Sequence, residues 1–568
     1  MSDLETTTSD TDSAPEPDVP WPVLVLLGGL ALVSLIVMFV GATKVGVTWD
    51  ERIHAVMLTT YFETGWYASP DWLVNGAPGA RLGDWPYYVY APLAELLTHG
   101  MTVLTGTEPW QGFADTKGAY AARHIATALV AVLGLVATGL ITRIITRSWK
   151  WALVAVALLA SIPMWMGHGM FNVKDLPVGS GYTLATLGFV ALFRTSYATS
   201  WRLRALAYFG IISGALLAVG TRPAAGLPIA LTGALMVIVA CLFLVVRRTS
   251  PAAFPRLGRR ILDTSIALVL SYLALVVIYP KGFINPYTLA HETLAISGRF
   301  PVNDAVLTAG TWLQQPPPWF YLPVWFGAQL PLLVIALCLL FLVFWIIQVF
   351  TRGKLEESLL PIPVALQATL LPLLAILMHS TMYNAVRQFL FVVPATAVLA
   401  ALGIRALVTW LRGGGGWRTP TRIVVWVVVV LGVLAPVIDQ VRLFPYGYVY
   451  LNEVATLQPV NGRWATDYWR ASTQELVRII PAEGRESCKS VDSLALLRPC
   501  GDESPFEPFW TERGIAAKPG ALGAGEYWFV RENGGDLSLP PNCEVHDQLV
   551  RPLHGQELII AQVLKCRT

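Results

Sequence analysis

Long apolar runs separated by short polar connections set the pattern of this chain. Runs able to cross a hydrocarbon core about 30 Å thick, roughly 17 to 25 residues each, occur at about 21–43, 119–142, 150–165, 176–193, 205–220, 224–246, 261–279, 322–349, 359–379, 388–410 and 422–440. In lipid only a helix satisfies its own backbone at this hydropathy. The pattern therefore predicts an all-α polytopic membrane protein with about 11 transmembrane helices. Composition agrees: 55% hydrophobic and 14% charged residues in a chain of 568, with a mean hydropathy of +0.56, exclude a soluble globule.

Lys and Arg mark the cytoplasmic connections, and every second connection carries them: Arg143, Arg147 and Lys150; Arg194, Arg202 and Arg204; Arg247, Arg248, Arg256, Arg259 and Arg260; Arg352 and Lys354; Arg405, Arg412, Arg418 and Arg422. The N-terminus is then inside, and an odd number of spans puts the C-terminus outside. Residues 1–20, acidic and rich in Ser, Thr and Pro, are expected to form a disordered cytoplasmic tail. The first apolar run is longer than a signal-peptide core and no small-residue cleavage site follows it. The domain plan is a transmembrane domain over 21–440, with large external loops at 44–118 and 280–321, and a small extracytoplasmic α/β domain over 441–568.

Cysteine placement points the same way. Cys241 and Cys338 fall inside predicted spans and read as small apolar packing residues. Cys488, Cys500, Cys543 and Cys566 all fall in the external C-terminal region, an even set in an oxidising compartment. Three pairings are open, and Cys488–Cys500 with Cys543–Cys566 is the sequence-local expectation.

The few charges at the membrane edge carry the candidate chemistry. Asp50 and Glu51 follow the first span, Lys174 and Asp175 join the third and fourth, Arg222 joins the fifth and sixth, and Arg387 joins the ninth and tenth. Taken singly, such charges are interfacial anchors or snorkelling side chains. Counted from an inside N-terminus, however, all fall on the outer face, while the span interiors are nearly free of ionisable groups, as an interfacial active site requires. The loop over 44–118 is longer than an ordinary connection and scatters aromatics through Asp84-Trp85-Pro86-Tyr87-Tyr88 and Tyr90-Ala91-Pro92-Leu93. The loop over 280–321 closes with Pro316-Pro317-Pro318-Trp319-Phe320-Tyr321, predicted to be a stiff extended lid or spacer.

These residues resemble a family. Trp49-Asp50-Glu51, Tyr90-Ala91-Pro92-Leu93, Arg123-His124 and Gly167-His168-Gly169-Met170-Phe171-Asn172-Val173-Lys174-Asp175-Leu176-Pro177 look like the bacterial GT-C glycosyltransferases. So do Pro318-Trp319-Phe320-Tyr321-Leu322-Pro323, Arg387-Gln388-Phe389-Leu390-Phe391-Val392-Val393-Pro394, Phe444-Pro445-Tyr446 with Tyr450-Leu451-Asn452, and Thr466-Asp467-Tyr468-Trp469. The similarity is greatest to the protein O-mannosyltransferase-like (family 39) and aminoarabinose-transferase-like (family 83) proteins. It implies a GT-C type fold in the cytoplasmic (inner) membrane, and transfer of a sugar from a polyprenyl-phosphate donor to an acceptor at the outer membrane face. It maps the first-loop acid to Asp50, with Glu51 adjacent, and the second acidic position to Asp175.

Elementary chemistry assigns the same roles. An acceptor hydroxyl attacking an anomeric carbon loses its proton as the bond forms, so a carboxylate is needed as base, and Asp50 is the first choice. The leaving phosphate needs no proton if cations hold it, which suits Arg387 as a bidentate ligand with Lys174 or Arg222 in support. A single displacement inverts the anomeric centre. His54, one helical turn beyond Asp50, is placed to tune its carboxylate, and Tyr90, Asn172 and Tyr383 are expected as acceptor or supporting residues. His124, His168 and His291 read as local hydrogen-bonding residues.

Other chemistry finds less support. The sequence has no metal-site spacing, so no cofactor is expected, although a divalent cation held by Asp50, Glu51 and Asp175 stays open. Gly413-Gly414-Gly415-Gly416 has no following Lys-Ser/Thr and reads as a linker. A net charge of +3 gives no sign of nucleic-acid binding. The expected partners are the lipid bilayer, the lipid-linked donor and an acceptor that is protein, glycolipid or cell-wall polysaccharide. The alternative class is a transporter or flippase of a lipid-linked sugar, which calls for discontinuous helices and midplane polar groups.

Overall fold

The computed structural model describes residues 20–48, 50–69, 90–194, 197, 200–246, 253–300, 305–351, 358–412, 418–481, 487–491, 497–500, 506, 508–509, 525–531 and 538–567. The acidic tail, Trp49, the Asp84–Tyr88 aromatics, the Gly413–Gly416 linker and the basic residues Arg247, Arg248, Arg352 and Lys354 lie outside the described residues.

The molecule is mostly helical with a small C-terminal sheet. Among the described residues, eight helices are long and apolar enough to cross a membrane: Trp21–Ala42, Lys117–Thr146, Trp201–Val219, Pro223–Leu242, Leu257–Ile278, Leu332–Phe350, Val392–Arg412 and Pro420–Leu443. Helices also occupy the other three expected positions, but shorter: Trp149–Ser161, Asp175–Leu192 and Ile362–Leu377. Prolines interrupt two of the expected runs. Pro163 ends the 150–165 run at Ile162 and starts a separate turn, Pro163–His168. Pro331 divides the 322–349 run into Tyr321–Gln329 and Leu332–Phe350.

The most extensive helix contact joins Asp175–Leu192 to Trp201–Val219, and small residues explain it. Gly181 meets the backbone of Gly214 and Ala218, Gly188 that of Ala207 and Ile211, and Gly210 that of Leu184 and Gly188. A β-carbon at any of these glycines would collide with backbone, so the seam depends on their absence of a side chain. The two helices run antiparallel, so Asp175 at the start of the first and Arg222 just past the end of the second share one end of the bundle.

Both long loops hold structure. The first contributes the helices Glu51–Thr64 and Leu93–Leu104. The second is more than a spacer: it contains a helix, Pro286–Gly298, whose N-cap Asn285 accepts from the Thr288 amide, and a hairpin of β1 (Val306–Thr308) and β2 (Thr311–Leu313). Ala309 and Gly310 turn that hairpin at positive φ.

The C-terminal region forms a five-stranded sheet in the order β4-β3-β5-β7-β6, from β3 (Cys488–Val491), β4 (Leu497–Pro499), β5 (Glu526–Arg531), β6 (Cys543–Leu553) and β7 (Gln556–Arg567). Only β3 and β5 are parallel. The disulfides pair Cys488 with Cys500 and Cys543 with Cys566, the sequence-local choice. The β6–β7 turn docks on the bundle, His554 Nε2 lying 2.9 Å from Asp439 Oδ2, and in β6 Arg551 Nη2 lies 2.7 and 2.9 Å from the two oxygens of Glu475 on the short helix Thr473–Ile479.

Candidate active site

Four sequence-distant segments meet at one end of the bundle. Asp50 is the N-cap residue of Glu51–Thr64, where the chain turns after the first span. Its Oδ2 receives the Lys174 ammonium, which also donates to the Tyr90 hydroxyl at 3.2 Å. Asn172 fixes the geometry of the next segment. Its Oδ1 accepts from the amides of Lys174 (3.2 Å) and Asp175 (2.8 Å), and its Nδ2 donates to Asp175 Oδ2 (3.1 Å), an Asx turn that presents the two charges to different partners. Asp175 pairs with Arg387 Nη1 at 2.6 Å and Arg222 Nη1 at 2.9 Å.

The remaining elements are placed by backbone contacts and strain. The amides of Ala91 and Leu93 donate to Thr221 O and Gly220 O, both at 2.9 Å, which sets the Tyr90 ring beside Arg222, 5.5 Å from the guanidinium carbon. Arg387 follows Asn384 and Ala385, two successive non-glycine residues at φ +57° and +56°. Left-handed backbone of this kind costs of order 1–3 kcal/mol per residue and persists only where the surroundings enforce it. Its guanidinium lies 3.4 Å from the centre of the Trp469 ring, and Lys174 Nζ lies 5.3 Å from the same ring.

The carboxylates differ in accessibility. The Asp175 side chain is 1% exposed and spent on two arginines, whereas Asp50 is 27% exposed. Burial pushes the Asp50 carboxyl up, but Lys174 foremost, with Arg387 further off, outweighs it and holds the group below the usual aspartate value. Glu51 accepts from the Thr48 amide (2.6 Å) and hydroxyl (2.9 Å) and pairs with His124 Nε2 at 2.6 Å, while His124 Nδ1 meets Ala42 O. Asp50, Glu51 and Asp175 thus face different partners, and among the described residues no three metal-ligating side chains converge. His54 directs its ring to the Tyr67 hydroxyl at 2.7 Å and sits edge-on to Tyr90. Burial and then Lys174 lower it to about 3, so it is neutral. Tyr383 stacks on Phe300 and lies 5.8 Å from the Arg387 guanidinium carbon. His168 approaches Asn172 Nδ2 at 3.1 Å, with burial lowering it to about 3.

Two groups of residues were missed as site residues. Trp469 stands at the end of the quoted Thr466–Trp469 motif, and its ring is the surface on which Arg387 rests. Behind the site, Arg123 donates to Glu95 (2.7 Å) and Glu108 (2.9 Å), and His99 meets Glu108 at 3.2 Å, all nearly buried. His54, Tyr67, Tyr90, Glu95, Lys174 and Thr221 line a narrow crevice between this network and the Asp50 cluster.

Chemically, three cations face two carboxylates, and one of those carboxylates reaches solvent. The cluster has positive charge to spare for an anion, beside a carboxylate able to take a proton.

The sequence matches no family profile and no curated protein. Solved structures similar to it include the following. The protein O-mannosyltransferase Pmt1–Pmt2 complex of S. cerevisiae, bound to the sugar donor, is 16% identical at a TM-score of 0.36, over 52% of this chain and 39% of that one. ArnT from Cupriavidus metallidurans is 15% identical in the apo state, at a TM-score of 0.43 over 96% of this chain and 97% of that one. Bound to undecaprenyl phosphate, it is 16% identical at a TM-score of 0.45, over 96% and 98%. This chain thus spans well under half of the first of these proteins, which belongs to one of the two groups that the motifs resemble.

Proposed function

We propose that this chain is a glycosyltransferase of the outer face of the cytoplasmic membrane, moving a sugar from a polyprenyl-phosphate donor to an acceptor hydroxyl. The observation that carries the reading is the convergence of Lys174, Arg222 and Arg387 on Asp50 and Asp175 at one end of an apolar bundle. A membrane-bound phosphate would be met by the cations, and the arginine fork matches two of its oxygens. Asp50 is the proton acceptor because Asp175 is already engaged by two guanidinium groups.

In the proposed step the acceptor oxygen attacks the anomeric carbon while Asp50 takes its proton. The new bond from carbon to oxygen forms on the face opposite the breaking bond to the phosphate oxygen, which inverts the centre. The electron pair leaves with the polyprenyl phosphate, held by Arg387, Arg222 and Lys174. Asp175 keeps the arginines aligned. The topology this requires has the N-terminus in the cytoplasm and the five-stranded domain outside.

The test is transfer by purified full-length protein from a panel of radiolabelled polyprenyl-phosphate sugars to protein, glycolipid and polysaccharide acceptors. Asp50→Asn is expected to remain folded and inserted and to lose roughly 10²- to 10⁴-fold in transfer, the range for removing a general base. Normal turnover in that variant would remove Asp50 from the mechanism. Translocation of a lipid-linked sugar without transfer would replace the enzyme by a flippase.

A further inference from the structure

Within the turn that carries Arg387, the Arg387 amide donates to Asn384 O at 3.3 Å, a long bond. Asn384 and Ala385 adopt left-handed backbone without glycine, and Ala385 and Val386 are buried. Left to itself such a segment relaxes, and the guanidinium it delivers would leave Asp175 and Trp469.

Among the described residues, Gly298, Phe300, Gln315 and Tyr321 contact the residues that lead into it. The Gln315 amide makes a two-way bond with Met382, its Nε2 donating to Met382 O at 2.9 Å and its Oε1 accepting from Met382 N at 3.2 Å. The Tyr321 hydroxyl, fully buried, donates to Ala385 O at 3.1 Å. The Thr381 amide donates to Gly298 O at 3.2 Å, and the Phe300 ring stacks on Tyr383. These contacts fall on Thr381, Met382, Tyr383 and Ala385, the residues leading into Arg387, and none touches Arg387 itself.

We propose that Gln315 and Tyr321 are positioning residues for the donor phosphate: they hold the strained turn so that Arg387 meets an anionic phosphate in one fixed orientation. The second external loop is then a brace for the phosphate-binding arginine. The inference rests on the reading that Arg387 holds a phosphate and adds to it the residues that aim the group. Positioning of this kind shows in affinity, because the arginine remains present but must be reordered each time a ligand binds.

The experiment measures undecaprenyl phosphate binding to the full-length protein in detergent, with thermal unfolding recorded on the same samples. Tyr321→Phe deletes one hydroxyl, and Gln315→Ala deletes the two-way bond; each is expected to weaken binding about three- to tenfold, the scale of a lost hydrogen bond. Arg387→Lys gives the reference loss. In the Arg387→Lys background Tyr321→Phe is expected to change affinity less than twofold, because the planar fork whose orientation the turn fixes is gone and an ammonium binds without regard to direction. Full additivity in that double variant would overturn the proposal, as would parental affinity in both Tyr321→Phe and Gln315→Ala while Arg387→Lys binds weakly, an outcome that leaves the phosphate reading intact. Absence of binding by the parent would overturn both. Should Tyr321→Phe not fold, Gln315→Ala carries the same comparison alone and in the Arg387→Lys background.

Discussion

Two buried charge clusters face each other across one crevice, and they are balanced differently. Around Arg123 two carboxylates close on one guanidinium. The spare lone pairs are taken up locally: Glu95 accepts from Thr98, and Glu108 accepts from Thr102 at 2.6 Å and the Ala114 amide at 3.0 Å. Burial opposes ionisation of Glu108, but His99 and Arg123 overcome it and hold the group at about 2. Around Asp175 the excess has the other sign, and one edge, Asp50, is open to solvent. A cluster whose spare lone pairs are filled by its own neighbours is architecture; one with cations left over, and a way in, is suited to receive a ligand.

The largest expected effect tests the closed cluster. Arg123→Met strands two buried carboxylates, and removing one partner of a buried pair costs about 3–5 kcal/mol. Thermal unfolding should fall accordingly, while the folded fraction still binds undecaprenyl phosphate. Unchanged stability with lost binding would mean that the two clusters have been assigned the wrong way round.

The next effect belongs to the open cluster. Arg387→Lys keeps the charge but loses the planar fork, which is worth about 1.5–3 kcal/mol, or roughly 10- to 150-fold in use of the lipid-linked donor. Donor binding and transfer measured on one preparation would decide it, and equal binding in parent and variant would take Arg387 out of the phosphate site.

The smallest effect sharpens the contrast through pH. Asp50 is held below its ordinary value, so it stays ionised as acid is added, and transfer should fail only below the usual aspartate range of about 3.9. In Lys174→Gln the main lowering influence is gone and burial remains, so the acid limb of kcat/KM should move to higher pH. A limb that does not move would show that the measured ionisation is not that of Asp50.

Much of the open cluster was legible because its members lie where apolar runs stop. Asp50, Lys174, Asp175, Arg222 and Arg387 are conspicuous in sequence for being charged at those boundaries, and the structure brings all of them together. The closed cluster was not: Glu95 and Glu108 sit in a long loop, and nothing local announces that they will share Arg123. Trp469 was hidden similarly, since a tryptophan 82 positions beyond Arg387 shows its use only once the chain has folded back. Hydropathy located the helices but not their interruptions, because Pro163 and Pro331 are single residues inside runs that remain apolar on average. The disulfides were legible from proximity along the chain, whereas the β1–β2 hairpin lay in a loop read by its proline run.

The glycine seam between Asp175–Leu192 and Trp201–Val219 has a consequence for how variants of this protein are interpreted. The pair works as a caliper, with Asp175 and Arg222 as its tips and Gly188 and Gly210 near the other end, some 20 Å away at 1.5 Å per residue. A bulky residue inserted at that far end spreads the tips. A genetic screen for lost function would then recover substitutions far along the bundle that mimic damage to its charged end, and their distance from it would be misleading.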